Sequence, residues 1–182
     1  MVKELLRQFA HLLVGLIAGL GLYLEFFDYK TFIVILVCVA LASAIIFFAH
    51  HKGMRKYVLT LVQREEKIPL QGVLTFFFGI TLAAVLFESS ASSLGIIAFS
   101  IIDSLATIVG VNLPTKALRI GRKSVIASFI ASLASTAVLL IFLDNFFIAL
   151  AASITLSIVE MFTPLDDNIV LPVVGGLLFS II

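Results

Sequence analysis

Residues Ser100–Ser124 read SIIDSLATIVGVNLPTKALRIGRKS. The stretch opens as an apolar helix former, carries Asp103 inside it, and ends in four cations, Lys116, Arg119, Arg122 and Lys123. Ser100, Asp103, Ser104 and Thr107 recur at i, i+3, i+4 and i+7, so on a helix they share one face. An ionised Asp at mid-bilayer costs roughly 2.5–3.5 kcal/mol on insertion scales. Such a residue is kept where it meets a cation, a polar partner or a wet cavity. A neutral Asp hydrogen-bonded between helices, or one hydrated near the headgroups, would avoid that cost.

Working outward, the 182 residues are 62% hydrophobic and only 13% charged, with a mean hydropathy of +1.23. That balance argues against an ordinary soluble domain and for an all-α, polytopic membrane bundle, a single integral membrane domain over 1–182. The single cysteine, Cys38, rules out an intrachain disulfide. The net charge of +1 says little, because placement of charge matters here more than its sum.

Seven spans are expected, at about Phe9–Phe27, Thr31–Ala49, Gly72–Phe87, Leu94–Gly110, Val125–Leu143, Phe146–Phe162 and Ile169–Ile182. The third and last are short against the roughly 20 residues a span needs. Alternating the loops puts the N-terminus, 50–71, 112–124 and 163–168 on one side. Those segments hold 11 of the 12 Lys and Arg residues; Lys30 alone lies opposite. The positive-inside rule makes the basic side cytoplasmic. Lys3 and Arg7 before an apolar run resemble a signal peptide, but the run is long and lacks a clear cleavage site, so a retained first helix is expected. The outward loops, 88–93 and 143–145, offer little chemistry.

Polar residues recur along the spans. Glu4, Arg7, His11 and Gly15 share a face of the first, and Gly15 with Gly19 forms a GxxxG pair suited to close helix contact. Ser124, Ser128, Ser132 and Ser135 on the fifth, and Ser153, Ser157 and Glu160 on the sixth, form small-residue stripes that in membranes are usually packing faces. Beyond Glu160 come Asp166, Asp167 and Asn168, with Pro164 and Pro172 on either side, a pattern suited to irregular backbone lining a cavity. His50 and His51 are adjacent, point apart on a helix and make a weak metal signal.

The expected topology gathers Glu4, Arg7, His11, Arg64, Glu65, Asp103, Lys123, Glu160, Asp166, Asp167 and Asn168 at one membrane face. Several carboxylates beside several cations suit a magnesium–phosphate ligand: magnesium takes one or two carboxylates plus phosphate oxygens and water, and Lys and Arg balance the remaining charge. Neither GxxxxGK[ST] nor GxGxxG occurs. Nothing points to nucleic acid as a partner.

At these residues the chain resembles the CTP-dependent lipid kinases, which include dolichol kinase, phytol kinase and the CTP-dependent diacylglycerol kinases. Their opening Glu-x-x-Arg-Lys-x-x-His-x-x-x-Gly is matched by Glu4, Arg7, His11 and Gly15, with Gln8 in place of Lys. Arg64, Glu65 and Gly72 look like their Arg-Glu pair before a Gly. IDSLATIVG keeps Asp103, Ala106 and Gly110 of Gly-Asp-Ala-x-Ala-x-x-x-Gly, and KSVIAS keeps Lys123, Ser124 and Ser128 of Lys-Ser/Thr-x-Glu-Gly-Ser. Glu160, Asp167, Asn168 and Pro172 match the final motif. Ile102 replaces a Gly, and Ile126 and Ala127 replace Glu-Gly.

The resemblance covers nearly the whole chain in order. It implies transfer of the terminal phosphoryl group of CTP to an isoprenoid alcohol (polyprenol, dolichol or phytol-like) or a related lipid, with the site on the cytoplasmic face. Asp103, Asp166 and Asp167 are the expected magnesium residues. Lys123, Ser124, Arg119, Arg122, Asn168, Arg7 and Arg64 would hold nucleotide and phosphate. His11 or Glu160 would position or deprotonate the acceptor hydroxyl, beside Asp103. Two other functions fit the same residues: a CTP:lipid-phosphate cytidylyltransferase, and a small transporter or non-catalytic membrane protein in which Asp103 is an ion or proton site.

Overall fold

The computed structural model describes residues 2–48, 70–113, 118–120 and 123–182. Seven helices carry almost all of this structure: α1 (Val2–Tyr23), α2 (Tyr29–Phe48), α3 (Gln71–Leu86), α4 (Ser89–Asn112), α5 (Val125–Leu139), α6 (Phe146–Phe162) and α7 (Asp167–Ile181). Two-residue strands, β1 (Arg119–Ile120) and β2 (Lys123–Ser124), pair antiparallel just before α5, with Ile120 opposite Lys123. The fold is all-helical, as the composition implies; the small β-ladder is an addition that apolar periodicity could not reveal. Three helices, α2, α4 and the Glu4–Tyr23 part of α1, are long and apolar enough to cross a membrane, while α3, α5, α6 and α7 are shorter apolar helices.

At 24 residues α4 is about 36 Å long, and it is the hub, packing against α1, α5 and α7. Its first half is buried almost without interruption from Ala91 to Ile102. The expected outward loop 88–93 is therefore a correction: from Ser89 onward it is the first turns of α4. Its hydroxyls can enter the interior because backbone carbonyls satisfy them. Ser92 Oγ donates to Ala83 O (3.0 Å) and Phe87 O (3.2 Å), and Ser93 Oγ donates to Ser90 O (2.6 Å).

Glycines set the closest crossings. A Cβ on Gly95 would meet Gly176 N at 2.5 Å and Gly175 C at 2.6 Å, so α4 and α7 touch backbone to backbone. Gly15 and Gly19 press α1 onto α4, against Ser100 and Ile97, which is the contact the GxxxG pair promises. The serine stripes pack α5 on α6: Ser153 Oγ donates to Ser135 Oγ (3.0 Å), and Ser157 Oγ to Ser128 O (3.4 Å). By contrast α2 is peripheral and nearly bare, burying only Phe32 and Ser43. Its exposed Val34, Val37, Leu41, Ile45 and Phe48 suit a hydrocarbon environment.

Side-chain caps start the last three helices. Ser124 Oγ accepts from Ala127 N, Asn145 Oδ1 from Phe147 N and Ile148 N, and Asp166 Oδ1 from Asn168 N. Pro172 does not break the backbone as expected; α7 runs through it. Proline cannot bond the carbonyl four residues back, and that carbonyl, Asn168 O, faces α3 at Gly79, where a Cβ would strike it.

Candidate functional site

The hairpin and the cap of α5 decide where Lys123 goes. Paired through β2 and followed at once by the helix, it projects between the C-terminal end of α6 and the N-terminal end of α7. Its Nζ lies 2.8 Å from Glu160 Oε1, 2.6 Å from Glu160 O and 2.5 Å from Asp167 Oδ2. Those three acceptors use all three ammonium hydrogens. Burial works against the charge on Lys123, but the Glu160 and Asp167 carboxylates outweigh it, so its pKa is raised above the usual lysine value.

Glu160 is 2% exposed. Its second oxygen, Oε2, accepts from Ser128 Oγ at 3.1 Å. Both oxygens are thus held, which makes Glu160 a fixed buttress for Lys123. Asp103, on α4, completes the cluster: oxygens of Asp103, Glu160 and Asp167 all lie within 4.8 Å of one another. Ionised, the three carry three negative charges against the single positive charge of Lys123. In an octahedron of magnesium–oxygen bonds of about 2.1 Å, ligand oxygens lie about 3 to 4 Å apart, so the trio could share one ion through water or after a small inward shift. The donor set is all oxygen, which is what a hard divalent cation takes. The residues present therefore fit magnesium.

On the other side of Asp103, His11 Nε2 stands 3.4 Å from Asp103 Oδ2, without hydrogen-bond geometry and without another partner among the described residues. The imidazole is boxed edge-on by Phe76 (centroids 4.3 Å apart) and Phe99 (5.3 Å). Arg7, one turn away on α1, pairs with Glu4 at 2.5 Å, and its Nε has no partner among the described residues. All of these groups except Phe99 border one cavity of about 1110 Å³, lined by α1, α3, α4, the hairpin and the adjoining ends of α5, α6 and α7.

The expected residues separate into several groups. Asp103, His11, Glu160, Lys123 and Asp167 converge. Arg7 and Arg119 lie on the cavity wall, Arg119 Nη2 reaching Gly110 O at 3.3 Å. Asp166, expected as a metal residue, instead caps α7 with its carboxylate and is exposed; Glu160 takes its place in the trio. Ser124 spends its hydroxyl capping α5, and Asn168 Nδ2 donates to Thr75 Oγ1 at 3.2 Å, tying α7 to α3. Both also border the cavity. Arg64, Glu65, Lys116, Arg122, His50 and His51 lie outside the described residues.

The polar stripe on α4 also divides. Asp103 and Thr107 reach the cavity. Ser100 is buried, donating to Ile96 O at 2.7 Å beneath Gly15. Ser104 is buried with no partner among the described residues. Sequence reasoning passed over Thr75 and Phe76. Their signal was the recurrence of Gly72, Thr75, Phe76 and Gly79 on one face of α3.

An uncharacterised protein of Methanocaldococcus jannaschii is 25% identical over 189 residues, an alignment spanning 98% of this chain and 94% of that protein. No protein-family model matches the chain. No solved structure matches it either.

Proposed function

We propose that the protein is a seven-span membrane enzyme, its N-terminus and site at the cytoplasmic face, that transfers the terminal phosphoryl group of CTP to the hydroxyl of an isoprenoid alcohol or related lipid. The observation that carries this reading is the convergence of three carboxylates, Lys123 and His11 on one cavity that also has an apolar wall. Such a cavity suits an anionic, metal-borne phosphate meeting an amphiphile. The choice of CTP and of an isoprenoid acceptor rests on the sequence motifs.

Asp103 and Asp167, with Glu160 beside them, would hold magnesium, which when bound would offset charge on the phosphates. Lys123 is fully engaged, so it neutralises and fixes the carboxylates; contact with a phosphate requires it to exchange one of its three acceptors. Arg7 and Arg119 are the cavity-wall guanidiniums able to receive the nucleotide phosphates. The acceptor hydroxyl would lie at His11: Glu160 has both oxygens occupied, whereas His11 Nε2, buried 3.4 Å from Asp103 Oδ2, has no hydrogen-bond partner among the described residues and would turn from Asp103 to meet the hydroxyl. His11 takes the hydroxyl proton as the alcohol oxygen bonds to the γ-phosphorus and CDP departs with the bond broken. Positioning and charge stabilisation supply most of the acceleration in such a reaction.

The test is incubation of the purified protein with magnesium, lipid alcohols and CTP labelled at the α or the γ phosphorus. The γ label alone should enter lipid. Supplied with lipid phosphates, a cytidylyltransferase would pass only the α label, and a transporter or scaffold would pass neither. The orientation is tested by cysteine labelling, with Leu118→Cys expected to react from the cytoplasm and Asp144→Cys from outside. Reaction of both from one side would refute the seven-span topology.

A further inference from the structure

The cavity has two unlike ends, and the helix faces show where each leads. On α1, Gly15 and Gly19 mark the face pressed on α4. Leu6, Ala10 and Val14, spaced by four, form the adjoining stripe; they line the cavity and are exposed. On α3, Thr75 and Gly79 mark the face held against Asn168 of α7. Val73 and Phe77 lie on the side turned away from it and also line the cavity. The two apolar stripes therefore face a cleft between α1 and α3. Its inner end is the contact of Phe76 with His11, 4.3 Å between ring centroids. Past that contact lie Asp103 and the Lys123 cluster, in the same continuous cavity.

We infer that the α1–α3 cleft is the lateral port for the apolar chain of the lipid acceptor, with Phe76 and His11 forming the collar that stops the chain and admits only its hydroxyl end. The occupant must be amphiphilic, because one continuous volume joins apolar stripes to an ionic cluster. A wholly polar ligand would leave Leu6, Ala10, Val14, Val73 and Phe77 facing water. A wholly apolar ligand would cover the carboxylate cluster and Arg7 Nε without offering either a polar partner. Ala10 borders the cavity from α1 with a small side chain that leaves room for the chain, and Val73 borders it from α3, which makes these two positions the width-setting ones. The inference rests on the lipid-acceptor reading above, and it adds which helices the acceptor passes between and which residues select it.

The experiment measures binding and does not depend on phosphoryl transfer. The full chain in nanodiscs is illuminated with a long-chain isoprenoid alcohol bearing a diazirine in its chain, with and without excess unlabelled alcohol, and labelled peptides are mapped. Competed labelling should fall on residues 6–14 of α1 and 73–77 of α3. Ala10→Trp and Val73→Trp, each filling the cleft from its own side, should reduce labelling to the level of the competed sample. Leu13→Trp, on an exposed part of α1 outside the cavity, should leave it intact. Helix content by circular dichroism identifies any variant that fails to fold, and with two independent plugs the test survives the loss of one. Competed labelling that maps elsewhere, or that persists in both folded plug variants, overturns the port. Cleft labelling without γ-label transfer from CTP would preserve the port and overturn the kinase reading; transfer with labelling elsewhere would do the reverse.

Discussion

Replacing Lys123 with Met removes the cation that, among the described residues, bridges Glu160 and Asp167, while keeping the length of the apolar stem. Glu160, 2% exposed in the parent, would then have Oε1 unpaired and only the Ser128 hydroxyl left on Oε2. Breaking a buried pair from one side typically costs about 3–5 kcal/mol, because a buried charge is left uncompensated. Lys123 keeps 29% of its side chain exposed, so water can partly replace it, and the retained Ser128 bond offsets a little more. The lower end, about 3 kcal/mol, is the expected loss. For a chain of this size that lowers the melting temperature by roughly 6–12 °C. The chain has no tryptophan, so the melt is best followed by far-UV circular dichroism in detergent. Glu160→Gln removes the orphaned charge, so the Lys123→Met, Glu160→Gln double variant should be less damaged than the two singles summed, with a coupling of about 1–3 kcal/mol. A Lys123→Met protein that melts with the parent, or strictly additive singles, would refute the buttress argument.

Gly95→Ala should destabilise by about 1–3 kcal/mol, since its Cβ meets Gly175 and Gly176 backbone that can yield only by separating α4 from α7. Gly110→Ala should be neutral or stabilising by about 0.5–1 kcal/mol in the same melt, its Cβ meeting Ala127 and Ser124 side chains at an ordinary 3.7 and 3.9 Å. The raised pKa of Lys123 also predicts a pH dependence. Its contribution is fully present below the unfolded lysine value of about 10.4 and disappears as pH rises through the higher folded value. Melting temperature against pH should show that alkaline loss in the parent, and Lys123→Met should lack this component.

Much of this arrangement is legible from residue spacing. The expected topology gathers Lys123, Glu160 and Asp167, because each lies near the same end of an apolar segment and a bundle must bring those ends together; Asp103 joins them from within its own segment. The GxxxG pair at Gly15 and Gly19 announced its own contact. What stayed hidden depended on partners distant in sequence. Nothing local tells a serine-rich loop at 88–93 from a buried helix start; that is decided by the carbonyls of Ala83 and Phe87. Phe76 looks like any lipid-facing aromatic until His11 is set against it. The distinction between Asp166 and Asp167 was within reach: of two adjacent carboxylates at a helix start, the first is a good cap and the second is free to turn elsewhere.

That pair of neighbours supplies the most direct test of the central claim, that the Asp103–Glu160–Asp167 cluster is the chemical centre. Asp103→Asn, Asp167→Asn and Asp166→Asn are compared with the parent in proteoliposomes containing lipid alcohol, magnesium and γ-labelled CTP. Asn caps a helix as well as Asp does, so Asp166→Asn should retain most of the transfer, whereas Asp103→Asn and Asp167→Asn should lose it while staying folded. Parental transfer rates in both cluster variants, or loss confined to Asp166→Asn, would contradict the account.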